Sequence, residues 1–315
     1  MKKKIFNEER IEGRVYQHNL QIKKVENKDS KFFGQEFISG TLDVATDEEG
    51  LNVLSTHYTF VTETTSSGKK NVTYGVLKSI IDGAKTWVTD GKDAALKVRL
   101  NTALALNDFY TNDNELVSAK RNEGGFVNVV TNLSPESERN TFHFDMVITS
   151  VTRVEANEER GIEEDYLTVK GAIFNFKNDI LPVELVCHAE PAGGMEYFES
   201  LDASPSNPIF TELKGEIVST VVKRQISEES AFGTARVKTV ERNTKEWKIT
   251  WARPTEYAFG EEDTITAEEL KEAIQNREVY LAGVKKRRDD YLASRGSEEK
   301  NSSPTQTVAT GAFNF

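Results

Sequence analysis

Aromatic residues and cations are interleaved along this chain. The first half carries Tyr16, Lys23, Tyr58, Lys69, Lys70, Arg99 and Arg121; the second carries Lys170, Phe174, Lys214, Arg236, Lys238, Arg242, Trp247 and Lys248. Rings at fixed separation accept unpaired bases by stacking, and lysines and arginines beside them follow a phosphate backbone. Such a mixture holds a single nucleic-acid strand with little regard to its sequence. The loop Gly68-Lys69-Lys70-Asn71 and the segment from Arg236 to Lys248 are denser in positive charge than an acidic protein would scatter by chance. A ring on a strand is more often core than stacking surface, so Tyr58, Phe174 and Trp247 carry weight only as members of the set.

No pattern of catalytic residues competes with this reading. The sequence has no P-loop, no GxGxxG after a strand, no GxSxG and no HExxH. His18, His57, His143 and His188 are scattered over strand-like segments. Cys187 adjoins His188, but neighbours on a strand point to opposite faces, so a buried structural thiol is expected. The acidic runs Asp47-Glu48-Glu49, Glu158-Glu159 and Glu261-Glu262-Asp263 fall in turns and lack the alternating ligands and central glycine of a calcium loop. The expectation is a protein that is not an enzyme and needs neither cofactor nor metal.

Composition narrows the setting. The 315 residues suffice for two domains, each with its own core. A net charge of -11 argues against adhesion to duplex DNA by bulk electrostatics, yet it leaves room for a local basic groove. A single cysteine points to a reducing compartment, hence the cytoplasm. The start, Met1-Lys2-Lys3-Lys4-Ile5, lacks the apolar run of a secretory signal, and no stretch approaches the roughly 20 apolar residues that span a bilayer.

The elements that must position the candidate residues are mostly strands. A faint internal repeat lays Ile22–Asn27 and Phe37–Leu42 over Val151–Asn157 and Leu167–Ile173, followed by apolar runs at Leu51–Val61 and Ile180–Val186. A strand meander thus occurs twice. Val98, Leu100, Thr102, Leu104 and Leu106 alternate with polar or small residues, as do Phe142, Phe144, Met146 and Ile148. Later strands are expected at Leu213–Val222, Ala235–Val240 and Trp247–Trp251, the last with Trp247, Ile249 and Trp251 on one face. Tyr74, Leu77, Ile80 and Ile81 have helical spacing, with Gly83 placed to end the helix. A helix inserted into a five-stranded meander is the plug of a small OB-type barrel.

From Thr266 to Leu292 a longer amphipathic helix is expected. Thr266 and Glu269 form a capping box, Ile265 and Leu270 a hydrophobic staple, and Leu270, Ile274, Leu281 and Val284 a stripe that a barrel must cover. Beyond Ser294 the composition is that of a disordered tail, ending in Phe313 and Phe315. The expected architecture is mostly β: one OB-like module over residues 1–138, a second over 139–260, the helix over 261–294 and the tail over 295–315.

This pattern resembles phage-encoded single-stranded DNA-binding proteins with tandem OB-like folds. The likeness is carried by Ser39-Gly40-Thr41-Leu42, Lys170-Gly171-Ala172-Ile173, Lys214-Gly215-Glu216-Ile217 and the tail closing on Phe315. It implies a protein that coats single-stranded DNA in replication or recombination. It also implies that the terminal aromatics dock on replication or recombination proteins, although Glu298 and Glu299 lie well upstream of them. Self-association is left open. Two other classes stay open as well: a structural or interaction protein such as a virion component, and a recombination factor or enzyme with a diffuse active site. The nucleic-acid reading requires a cationic trough that bears exposed rings.

Overall fold

The alternating segments form strands that close two barrels in succession. The computed structural model describes residues 5–65, 67–157, 162–228, 236–255 and 265–301, with side chains for all of these but 220–244, 267 and 294–301. The first barrel contains β1 (Asn7–His18), β2 (Gln21–Lys24), β3 (Glu36–Ala45), β4 (Val53–Thr62), β5 (Lys97–Tyr110) and β6 (Leu116–Val129). Helices α1 (Val72–Ile81) and α2 (Trp87–Asp90) lie between β4 and β5. The second barrel contains β7 (Asn140–Val154), β8 (Tyr166–Phe174), β9 (Ile180–His188), β10 (Ile209–Glu228) and β11 (Arg236–Ala252), with α3 (Gly194–Ser200) between β9 and β10. A final helix, α4, runs over Ala267–Asn301.

Strand pairing identifies both barrels as OB-type. In the first, β1 pairs with β3, β3 with β4, β4 with β6, β6 with β5, and β5 closes on β1; only the β4–β6 seam is parallel. The short β2 adds a rung outside β3. The second repeats this circuit as β7–β8–β9–β11–β10–β7, with β9–β11 the parallel seam. In each a helix separates the third and fourth strands of the circuit, as the open end of such a barrel requires. Alternation holds where the core is made: Val98, Leu100, Thr102, Leu104 and Leu106 are all buried, and so are Phe142, Phe144, Met146 and Ile148.

Equivalent strands join the barrels. The first half of β1 pairs antiparallel with the first half of β7, from Asn7 opposite Phe144 to Ile11 opposite Asn140. This relates the two barrels locally by an approximate twofold. Around the seam, the Trp247 indole N–H donates to Glu9 Oε1 at 2.8 Å, and the Thr102 hydroxyl donates to Glu9 Oε2 at 2.9 Å. The ammonium groups of Lys120 and Lys245 each lie 4.8 Å from the Trp247 ring. Lys120 donates to the Glu184 carbonyl on β9, and Lys245 to Asn122 Oδ1 on β6. Asn52, before β4, completes the joint by donating to the Ile217 carbonyl and accepting from Ser219 N on β10.

Three elements differ from the sequence reading. The late strands are not three but two long ones, because β10 and β11 pair from Leu213–Ala252 to Glu228–Arg236 with a single register shift between Lys214 and Gly215. Helix α4 continues to Asn301, past the expected start of the tail, and residues 302–315, with Phe313 and Phe315, lie outside the described residues. Its buried line is also displaced: Ala273 and Val284 are buried while Ile274 is exposed. The reason is that α4 spans both barrels. Its start, with Ile265 and Leu270, packs on Val147, Ala172, Phe174 and Ile180 of the second barrel. Further along, Arg277 pairs with Asp108 at 2.8 Å, and Arg288 donates to the Thr111 and Asn112 carbonyls of the β5–β6 hairpin. The capping box forms as expected, with Glu269 N donating to Thr266 Oγ1 and Thr266 N to Glu269 Oε2. Among the described residues no helix is long and apolar enough to cross a membrane.

Two tests follow from these joints. Burial raises the Glu9 carboxyl to about 7. A carboxyl raised in the folded state favours folding fully below its ordinary 4.5 and loses that contribution as pH climbs towards 7. Lys245, pushed down to about 8 by burial, titrates above this window. Glu9→Gln keeps an acceptor for Trp247 and removes the titration. Between pH 4.5 and 7.5 the wild type should lose on the order of 1–3 kcal/mol relative to the variant in urea unfolding; parallel pH profiles would refute the burial argument. Separately, Arg277→Ala removes the cation from the Asp108 side chain, which is 2% exposed and would keep the Ser118 hydroxyl as a donor. A loss of about 3 kcal/mol is expected, read as faster amide exchange through α4. Unchanged exchange would show that the ion pair does not anchor the helix.

Candidate nucleic-acid interface

The rings chosen from sequence are not the rings at the surface. Tyr58, Phe174 and Trp247 are 3%, 3% and 1% exposed, so none can stack on a base. Each has a physical reason. Tyr58 lies against Gly124, where a β-carbon would stand 2.3 Å from its ring. Phe174 is covered by the start of α4. Trp247 is the wedge between the barrels, its N–H satisfied by Glu9 and its ring flanked by two ammonium groups. Tyr16 is half-buried, its ring 6.1 Å from that of Trp87.

The cations divide likewise. Arg99 is held by the buried Glu12 at 2.6 Å, and Arg10 and Ser134 N hold the same carboxylate. These donors outweigh the burial of Glu12 and lower its pKa to about 2. Arg121 pairs with Glu123, Lys170 with Glu184 and Lys214 with Glu212. Lys248 is half-buried, on β11. Arg236, Lys238 and Arg242 stand on β11 by backbone, but their side chains lie outside the described residues. Lys23, Lys69 and Lys70 are exposed and carry no ion pair among the described residues.

Those three lysines share one end of the first barrel with rings that the sequence reading overlooked. Lys23 on β2 is opposite Phe37 on β3, and Phe37 is opposite Thr62 on β4. Directly paired residues share a face, and so do residues two apart on a strand, which places Phe60 with Lys23 and Phe37. The other face of these strands, Ile38 and Val61, packs on the core. The Phe37 and Phe60 rings lie 4.7 Å apart, and Phe32 approaches Phe60 at 5.4 Å. The bridge between Thr64 and Lys70 extends β4 and brings Lys69 and Lys70 to the same strand end.

The loop between β2 and β3 is built to hold rings outward. Val25 N donates to the Gln35 carbonyl and Gly34 N to the Val25 carbonyl, closing its base. Asn27 Oδ1 accepts from Asp29 N and Ser30 Oγ from Phe32 N, fixing the turn. Gly34 adopts φ +79, which lets the chain reverse after the paired rings. As a result Phe33 is 52% exposed and Phe60 42%, and the Lys31 ammonium lies 4.8 Å from the Phe32 ring. Apolar rings left in water on a hydrogen-bonded loop and the neighbouring strand call for a ligand. Around them stand Lys23, Lys24, Lys28, Lys31, Lys69 and Lys70 against Glu26, Asp29, Glu36 and Glu63, a local positive excess on an acidic chain. The run Lys31-Phe32-Phe33-Gly34 was the sequence signal: two rings between a cation and a turn-forming glycine.

A second concavity, of about 570 Å³, lies between the barrels beneath α4. Its arginines are spent on Asp108 and Glu123, and Glu8 and Asp179 outweigh the one further cation, Lys177, so it suits a polyanion poorly. Among the described residues no cluster of three or more His, Cys, Asp or Glu could hold a metal ion. Cys187 is buried, and burial pushes its thiol up to about 11, away from the reactive thiolate.

Known structures resemble this architecture. The wild-type single-stranded DNA binding protein from Thermus aquaticus aligns over 79% of this chain and 93% of its own, with 9% identity and a TM-score of 0.44. A deletion mutant of that protein aligns over 82% of this chain and 98% of its own, with 9% identity and a TM-score of 0.45. A replication protein A heterotrimer bound to ssDNA aligns over 88% of this chain and 70% of its own, with 9% identity and a TM-score of 0.23. The OB assignment rests on the strand circuit itself. No curated protein matches the sequence. The family model described as YorF, however, matches residues 7–287, and the chain therefore belongs to the YorF family.

Proposed function

We propose that this protein binds single-stranded DNA without sequence preference, across the β2–β3–β4 face of its first barrel. The observation that carries the reading is the group of exposed Phe33 and Phe60 with half-buried Phe32 and Phe37, beside lysines that carry no ion pair among the described residues, on the second and third strands of an OB circuit and the loop that precedes them. Those strands and the adjoining loop are where this barrel type receives oligonucleotides. Stacking on the rings is indifferent to base identity, and Lys23, Lys69 and Lys70 reach the phosphates. The net charge of -11 keeps the rest of the surface from competing for polyanions. The setting we propose is the coating of single strands during phage replication or recombination, carried by the sequence resemblance.

The test is titration with oligothymidine at several salt concentrations. Phe33→Ala and Phe60→Ala should each weaken binding by about 1–3 kcal/mol, and Lys23→Ala should reduce the salt slope by about 0.7. Binding untouched by either ring substitution would move the interface elsewhere; an absence of binding at low salt would remove the function.

A further inference from the structure

The second barrel carries its own ring and cation row, on a face the proposed interface does not use. Trp247, Ile249 and Trp251 would share one face of a regular strand. They do not, because the pairing jumps from Gly215 opposite Ile249 to Lys214 opposite Trp251. The extra residue, Thr250, is a β-bulge, and it turns Trp251 outward while Trp247 and Ile249 stay buried. Trp251 is 43% exposed. A large ring at this position adds little to the core.

Its neighbours are set in register. His143 on β7 is opposite Lys214 on β10, and Lys214 is opposite Trp251 on β11. Phe6 stacks on His143 at 4.0 Å, extending the row to Phe6, His143, Lys214 and Trp251. The Lys214 ammonium lies 4.6 Å from the Trp251 ring. Beside the row, Glu212 is nearly buried and surrounded by His143 at 2.8 Å, Lys214 at 3.2 Å and Arg253 at 3.1 Å. Asp145 on β7 stands opposite Glu212 on the same face, so two carboxylates balance Lys214 and Arg253, and the patch offers rings with a displaceable ammonium rather than a net positive field. Glu8, exposed opposite His143, is a further acid at its margin.

We propose that this face of β7, β10 and β11, centred on Trp251, is a second contact for the single strand held by the first barrel. The inference rests on the function proposed above and extends it. A base stacked on an aromatic ring is worth more than an exposed ammonium on the same ring. An arriving base therefore displaces Lys214 from the Trp251 face, and the freed ammonium turns to a phosphate. The two faces give the strand two separate holds, so short oligonucleotides engage the first barrel alone and longer ones engage both.

Tryptophan emission tests this directly, since Trp247 is buried and Trp87 half-buried against Tyr16. Oligothymidines of increasing length are titrated into wild type, Trp251→Ala and Trp251→Phe, with mobility as an independent measure of binding. Long oligonucleotides should quench the wild type. Trp251→Ala should bind them roughly 5- to 100-fold more weakly while short ones bind unchanged. Trp251→Phe should keep the affinity and lose the quenching. If long oligonucleotides bind all three proteins equally and quenching survives in Trp251→Phe, the second contact is refuted and the first-barrel reading stands. If none binds the wild type, both fall. If light scattering without DNA shows that Trp251→Ala dissociates an oligomer, the face belongs to an interface between copies and the proposal is overturned.

Discussion

The joint between β1 and β7 is the constraint on which the rest of the molecule depends. An OB barrel has one strand that can lend an edge outside its own circuit, and here each barrel lends the first half of that strand to the other. Pairing satisfies the backbone, but it also draws side chains from four strands, β1, β5, β6 and β11, into a largely dry joint. Glu9, Thr102, Trp247, Lys120 and Lys245 answer that with one connected arrangement, in which the carboxylate takes two donors and the ammonium groups take the ring and two oxygen acceptors. Removing Trp247 or Thr102 leaves one oxygen of the buried Glu9 carboxyl without its donor, which costs more than the bond itself contributes.

This joint explains why charge and aromaticity were poor guides to the interface. Trp247 with Lys245 and Lys120 has the composition of a nucleic-acid contact and is instead the seam between domains. Tyr58 and Phe174 read as strand rings with basic neighbours, yet one fills the space over Gly124 and the other lies under α4. Arg99 serves Glu12 rather than a ligand. Composition shows which side chains are available; it does not show which are consumed by folding.

Much of the scaffold was nevertheless legible. The alternation in β5 and β7, the helix closed by Gly83, the capping box of Thr266 and Glu269 and the repeat linking β3 with β8 all express periodicity or local hydrogen bonding, which a sequence displays directly. Three features were not legible because they depend on partners distant in sequence. The β10–β11 ribbon reaches its length only because the two strands support each other; the bulge at Thr250 appears only once the register is known; and Ile274 is exposed because α4 must reach from one barrel to the other. Phe32 and Phe33 were visible as a pair in a charged loop. What the sequence lacked was the hydrogen bonding of Asn27, Ser30 and Gly34, which turns those rings outward rather than into the core.

The central claim is that the exposed phenylalanines of the first barrel hold an unpaired strand. Photo-crosslinking of an oligothymidine bearing a photoreactive base, followed by peptide mapping, addresses it without substitution. The account predicts crosslinks within residues 31–37 and 53–62. Crosslinks confined to the cleft beneath α4, with none in those two segments, would contradict it.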